Sequence, residues 1–130
     1  MFPTVRTAPL RGARSVALVE TIVIDGVNLT GATFRLEVRD RRDGGALRAG
    51  LDTVSSASAE GVRVLGVDTS GALPVTTLGI RINESTMEAM PSSEPGEDQA
   101  LWWGLHITPS AGLKFLAFDS NFTVEASTPA

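Results

Sequence analysis

A chain of 130 residues, 42% hydrophobic and 20% charged, has the make-up of one folded domain, which excludes an intrinsically disordered segment. Its net charge of -4 argues against the clustered basic surface that holds nucleic acid, and the lack of cysteine excludes a disulfide framework, a thiol nucleophile and a thiolate metal site. No apolar run reaches bilayer-spanning length, "MFPTVRTAPLRGARSV" lacks the apolar centre of a secretory signal, and the sequons at Asn28, Asn83 and Asn121 are accordingly read as chance.

Residues 1–14, with Pro3, Pro9 and Gly12 and no sustained periodicity, read as an extended arm of the kind that docks on a neighbour. Residues 15–127 read as one β-sandwich domain and 128–130 as a tail. "VALVETIVI" is β-branched and ends at Asp25-Gly26, so it reads as a strand and a turn. In "ATFRLEVR" the side chains of Phe34, Leu36 and Val38 fall on one face and those of Thr33, Arg35, Glu37 and Arg39 on the other, the alternation of a half-buried strand. The charged turn "DRRDGG" places the hairpin dipeptide Asp43-Gly44 before a strand in "ALRAGLDTV". Strands follow at "VRVLGV" and "VTTLGIRI", separated by the turn residues of "DTSGALP". "ESTMEAM", with Asn83 or Ser85 as N-cap, makes a turn or two of helix that Pro91 stops, and "PSSEPGEDQ" is an acidic loop. The end of the chain reads as strand "LWWGLHIT", turn "PSAG", strand "LKFLAF", turn "DSN" and strand "FTVEA". About eight strands with turn signals every eight to twelve residues predict an all-β fold, an antiparallel sandwich of immunoglobulin-like or jelly-roll-like type, or a small barrel.

"LWWGLHI" gathers both tryptophans and the only histidine. Strand alternation puts Trp103, Leu105 and Ile107 in the core, and Trp102, Gly104 and His106 on the outer face. An outward tryptophan is either a contact patch or a residue covered by the chain's own acidic loop, and the sequence leaves both open. The candidate interface residues are Trp102 and His106 on this strand, with Arg6, Arg11 and Arg14 on the arm.

Signatures of catalysis are missing. His106 has no Gly-x-Ser-x-Gly elbow to serve, and "LGVDTSGA" interposes Ser70 where an aspartic-protease loop has glycine, so Asp68 reads as a turn residue. Glu94, Glu97 and Asp98 lack the ligand spacing of a calcium loop, and the glycines form no phosphate-binding pattern. The chain is therefore not expected to be an enzyme and is assigned no cofactor and no metal. Arg35, Arg39, Arg63 and Arg81 lie on polar strand faces, where solvated charge interleaved with glutamate is the ordinary reading.

Three features together resemble the small β-sandwich proteins of tailed phages and prophages, of the baseplate-upper-protein and tail-fibre-attachment type: "LTGATFRLEVRD" with its "DGG" turn, the strand leading into "STMEAM" and a Pro/Gly loop, and "LWWGLHITPSAGLKFLAFDSNFTVEA". The similarity spans about Gly31 to Ala126, with an acidic insertion and no tyrosine where that pattern carries Gly-x-Tyr. The resemblance implies a virion structural protein of the tail, baseplate or fibre attachment site, made in the bacterial host cytoplasm. Its partners would be copies of itself and other virion proteins, as a homo-oligomer, with no nucleic acid and no membrane. A capsid decoration protein and a carbohydrate-binding module are the alternatives.

Overall fold

The computed structural model describes residues 9–42, 44–91 and 97–125. Eight strands and one short helix follow in chain order: β1 Leu10–Ala13, β2 Leu18–Asp25, β3 Thr33–Arg39, β4 Leu47–Asp52, β5 Gly61–Asp68, β6 Val75–Ile82, α1 Glu84–Glu88, β7 Gln99–Thr108 and β8 Phe115–Glu125. They form a five-stranded sheet in the order β1-β8-β7-β3-β4 and a three-stranded sheet in the order β2-β6-β5. This order is that of an immunoglobulin-type sandwich: three neighbours from the end and middle of the chain, extended by a hairpin strand, face a second sheet built from the strands between. A parallel first strand closes the larger sheet, Leu10 pairing with Phe122 and Ala13 with Glu125.

Alternation builds the core. Phe34, Leu36 and Val38 of β3, Leu101, Trp103, Leu105 and Ile107 of β7, and Leu78, Ile80 and Ile82 of β6 are all buried in one cluster. Trp103 is fully buried and stacks on Phe118 of β8, ring centroids 5.7 Å apart. The predicted hairpin joins β3 to β4, and Gly44 supplies the positive φ of 70° that its turn requires. Asn83 occupies the N-cap position of α1 without a side-chain cap bond; its amide oxygen accepts instead from Arg81 Nε at 2.8 Å. Met87 and Met90 at this helix are buried and belong to the same core cluster.

Two sequence expectations are corrected. The sequence predicts an arm over residues 1–14, yet Leu10–Ala13 is a strand of the sandwich: Leu10 is buried, Gly12 sits against Leu18 and Met87, and Arg14 donates to the carbonyls of Met90 and Pro91 at 2.5 and 3.0 Å. The reason is pairing to β8, more than a hundred positions away, which no local pattern encodes. Residues 1–8, including Arg6, lie outside the described residues. Second, the turn expected at "DSN" does not exist; β8 runs unbroken through Asp119, Ser120 and Asn121. Pairing with Trp102, Trp103 and Gly104 of β7 in unbroken register overrides their turn propensity, and the one register shift of this strand pair falls outside them, between Leu105 and His106. The strand count of eight thus agrees because one strand was missed and another divided.

The β1 correction has a measurable consequence. Leu10→Ala is expected to cost about 2 kcal/mol, the low end for a buried leucine because the site lies on an edge strand. Urea denaturation of the variant checks it, and an unchanged midpoint would return residues 10–13 to the arm.

Candidate functional site

The outer face of the five-stranded sheet is laid out by register. Gly104 of β7 lies between Glu37 of β3 and Asp119 of β8. Trp102 and His106, two positions either side, close the ends of an open hollow of about 210 Å³ that Arg39, Arg42 and Leu116 also line. The sequence placed Trp102 and His106 together on this outer face, and there they lie, both half-buried.

Trp102 is not bare. Its indole N–H donates to Asp119 Oδ1, and the guanidinium of Arg42 stands over the ring, 5.6 Å from its centroid. Arg42 also pairs with Asp119 Oδ2 at 2.9 Å, so one carboxylate, only 10% exposed, ties both partners. The cover comes from the β3–β4 turn of the same chain; most of the acidic loop that offered the alternative, residues 92–96, lies outside the described residues. This Arg42–Asp119–Trp102 unit has no local signature, because Asp119 falls in the turn predicted at "DSN" and Arg42 in the charged turn "DRRDGG". Only the register that sets β8 beside β7 reveals it.

Glu37 is held between two arginines, accepting from Arg39 Nη2 at 2.9 Å and from Arg35 Nε at 3.3 Å. Arg35 reaches on to Asp52 at 3.2 Å across Gly50, where a Cβ would collide with the guanidinium. The hydrogen bond from Arg39, then that from Arg35, holds the Glu37 carboxyl below the usual glutamate range. A general acid needs the opposite shift, so Glu37 is suited to orienting charge and not to donating a proton.

A depressed carboxyl stabilises the fold only while ionised. Above the unfolded glutamate value of about 4.3 that contribution is complete, and it is lost as pH falls through the lower folded value, because the unfolded chain then binds the proton more readily. Thermal melts between about pH 6 and pH 3 should show a steeper acid decline for the native chain than for Glu37→Gln. Parallel curves would remove Glu37 from the acid response.

The arginines of the predicted interface do not join this hollow. Arg11 projects from β1 to Asp98 and Glu125 at 3.3 and 3.0 Å, and Arg14 holds the end of the α1 segment as described. Arg35 and Arg39 lie on the larger sheet while Arg63 and Arg81 lie on the smaller, so the four form no single stripe. Asp68 accepts from the backbone N–H and hydroxyl of Ser70 at 2.9 and 2.6 Å, the closed local turn expected of it. Among the described residues no group of three or more His, Asp or Glu side chains is placed to hold a metal ion, and no helix is long and apolar enough to cross a membrane. No protein-family model matches the chain, and no curated protein is significantly similar to it.

The sequence reading also missed the smaller sheet's outer face. There Val19 and Val23 of β2 are 64% and 48% exposed, and Leu65 of β5 is 43% exposed. Leu65 lies across Gly79 of β6, and Arg63 and Arg81 flank the strip.

Proposed function

We propose that the chain is a structural assembly subunit of a tailed-phage virion, in the tail, baseplate or fibre attachment site, acting through contacts with copies of itself and with other virion proteins. The observation that supports this reading is the apolar strip of Val19, Val23 and Leu65 on the outside of the smaller sheet. Large apolar side chains left exposed on one sheet face beside charged residues are what a chain that ends up covered by another protein presents. The resemblance of the three sequence segments supplies the class of particle.

The test is composition of purified particles. Mass spectrometry of virions banded by density should find the chain at a fixed copy number in tail or baseplate fractions. Its presence only on tail-less heads would favour the capsid decoration alternative, and its absence from all particles would overturn the proposal.

A second reading, a saccharide-binding module, draws on the hollow over Gly104: an aromatic ring beside fixed carboxylate–arginine pairs is the chemistry that stacks on a sugar ring and hydrogen-bonds its hydroxyls. Arg42 standing over Trp102 counts against it. Glycan-array binding that is lost in Trp102→Ala would establish it.

A further inference from the structure

We infer that the hollow over Gly104 is a subsite for an acidic sugar, a hexuronate residue whose carboxylate pairs with Arg42. This rests on the saccharide reading, whose class of sugar it names, and is independent of the assembly reading.

The space comes first. Gly104 is the floor of the hollow of about 210 Å³, between Trp102 and His106 on its own strand and between Glu37 and Asp119 on the strands either side. The fold does not demand a glycine there. Its φ lies outside the left-handed region, and a Cβ would meet only Leu116 Cδ1 and the Phe118 carbonyl oxygen at 3.6 Å, ordinary contacts. At Gly50 and Gly61, by contrast, a Cβ would collide with the Arg35 guanidinium and with the Asp52 carbonyl oxygen. A glycine inside a strand weakens it, and what the missing side chain provides at position 104 is room.

The polarity of the exposed groups selects an acid. The charged residues lining the hollow are Arg39, Arg42, Glu37 and Asp119, with the His106 imidazole at one end, and the four formal charges cancel. Their exposure does not. The Asp119 side chain is 10% exposed, its oxygens taken by the Trp102 indole and by Arg42 Nε, and Glu37 is 25% exposed and accepts from Arg35 and Arg39. Arg42 is 64% exposed. The carboxylates are paired and shielded, so the surface that a solute meets is rich in N–H donors.

Arg42 is also held in place before any ligand arrives. Asp119 meets it at Nε, 2.9 Å away, and its Cζ stands 5.6 Å from the centroid of the Trp102 ring, which lowers the entropy cost of binding through it. Nη1 and Nη2 form the other edge of the guanidinium, the fork that takes a carboxylate through two parallel N–H···O bonds. The same contact that counts against a sugar stacking on Trp102 thus favours an acid. A pyranose ring carrying that carboxylate would extend over Gly104, where Leu116 offers apolar contact to its C–H face and His106 a hydrogen-bonding nitrogen to a hydroxyl. A carboxylate and hydroxyls on one small ring are the chemistry of a hexuronate.

Trp102 and Trp103 are the only tryptophans, so their two indole N–H signals in nuclear magnetic resonance separate hollow from core. Titration with D-galacturonate and D-glucuronate should shift the Trp102 signal and leave that of buried Trp103 in place. D-galactose and D-glucose should bind about tenfold or more weakly, the loss expected when a hydrogen-bonded charge is missing. Arg42→Gln should weaken uronate binding by the same factor. Gly104→Val, which fills the floor with a residue suited to a strand, should abolish binding without lowering the melting temperature. Equal shifts from the neutral sugars would overturn the acid preference and leave the saccharide reading standing. Acetate binding as tightly as the uronates, or uronate binding undiminished in Gly104→Val, would overturn the subsite. No response to any of the four sugars would overturn both the subsite and the saccharide reading, whereas virion composition is read separately and bears on neither.

Discussion

Trp103→Ala is expected to lower stability by about 3–5 kcal/mol, the range for removing a large aromatic from a packed core. For a domain of this size that is a fall in melting temperature of roughly 10–20 °C. Trp103 is fully buried, faces Val38 of β3 and Ser120 of β8 in register, and stacks on Phe118. Truncation therefore opens a cavity between two sheets that are held by their own strand pairing and cannot collapse freely onto it. Trp103→Phe, which keeps a ring in the stack, should cost less than half as much. Differential scanning calorimetry of both variants checks the ordering, and a melt unchanged by Trp103→Ala would mean that the tryptophan does not lie between the sheets.

Thr76→Val is the second large effect, expected at about 2–4 kcal/mol despite nearly conserved volume. The Thr76 hydroxyl on β6 is fully buried, donates to the Val27 carbonyl at 2.8 Å and accepts from the Leu29 N–H at 3.1 Å. It thereby pins the crossover that carries the chain from β2 in one sheet to β3 in the other. Among the described residues no buried side-chain nitrogen or oxygen lacks a partner, so this polar contact is fully satisfied as it stands. Valine fills the space but leaves the buried Leu29 N–H and the part-buried Val27 carbonyl unpaired, a fully buried group being worth about 1–3 kcal/mol. Thr76→Ser keeps both bonds and should lose only about 1 kcal/mol for the methyl group. Guanidinium denaturation with a lowered midpoint and unchanged slope for valine, and a small change for serine, is the expected pair of results. Equal losses in the two variants would assign the effect to the methyl group.

These two residues differ in how visible they are before the fold is known. Trp103 is legible because alternation is local: in "LWWGLHI" a period of two sorts the larger apolar residues to one side, and burial follows. The same rule places Phe34, Leu36 and Val38 correctly. Thr76 has no such signature, since its partners lie 47 and 49 positions away and meet it only when the crossover folds over β6.

The outer-face residues divide in the same way. Side-chain parity on β7 put Trp102 and His106 together from sequence alone, and nothing local hinted that Asp119 would hold Trp102 or that Arg42 would cover it. "DSN" carries turn chemistry, yet β8 continues through it because adjacent β7 offers a full ladder of hydrogen bonds, a gain larger than the propensity difference. Likewise "VETIV" announces a strand but not which side is open. Whether Val19 and Val23 are core or surface depends on which sheet β2 joins and on which of its faces that sheet turns to the core. The amino-acid sequence by itself determined the all-β class, the strand periods, the β3–β4 hairpin and the α1 segment, since each rests on neighbours within a few residues. Tertiary structure alone decided the immunoglobulin-type order, the parallel β1–β8 closure, the Arg42–Asp119–Trp102 unit and the pairing of β2 with β6, because each is set by pairing between segments that are distant along the chain.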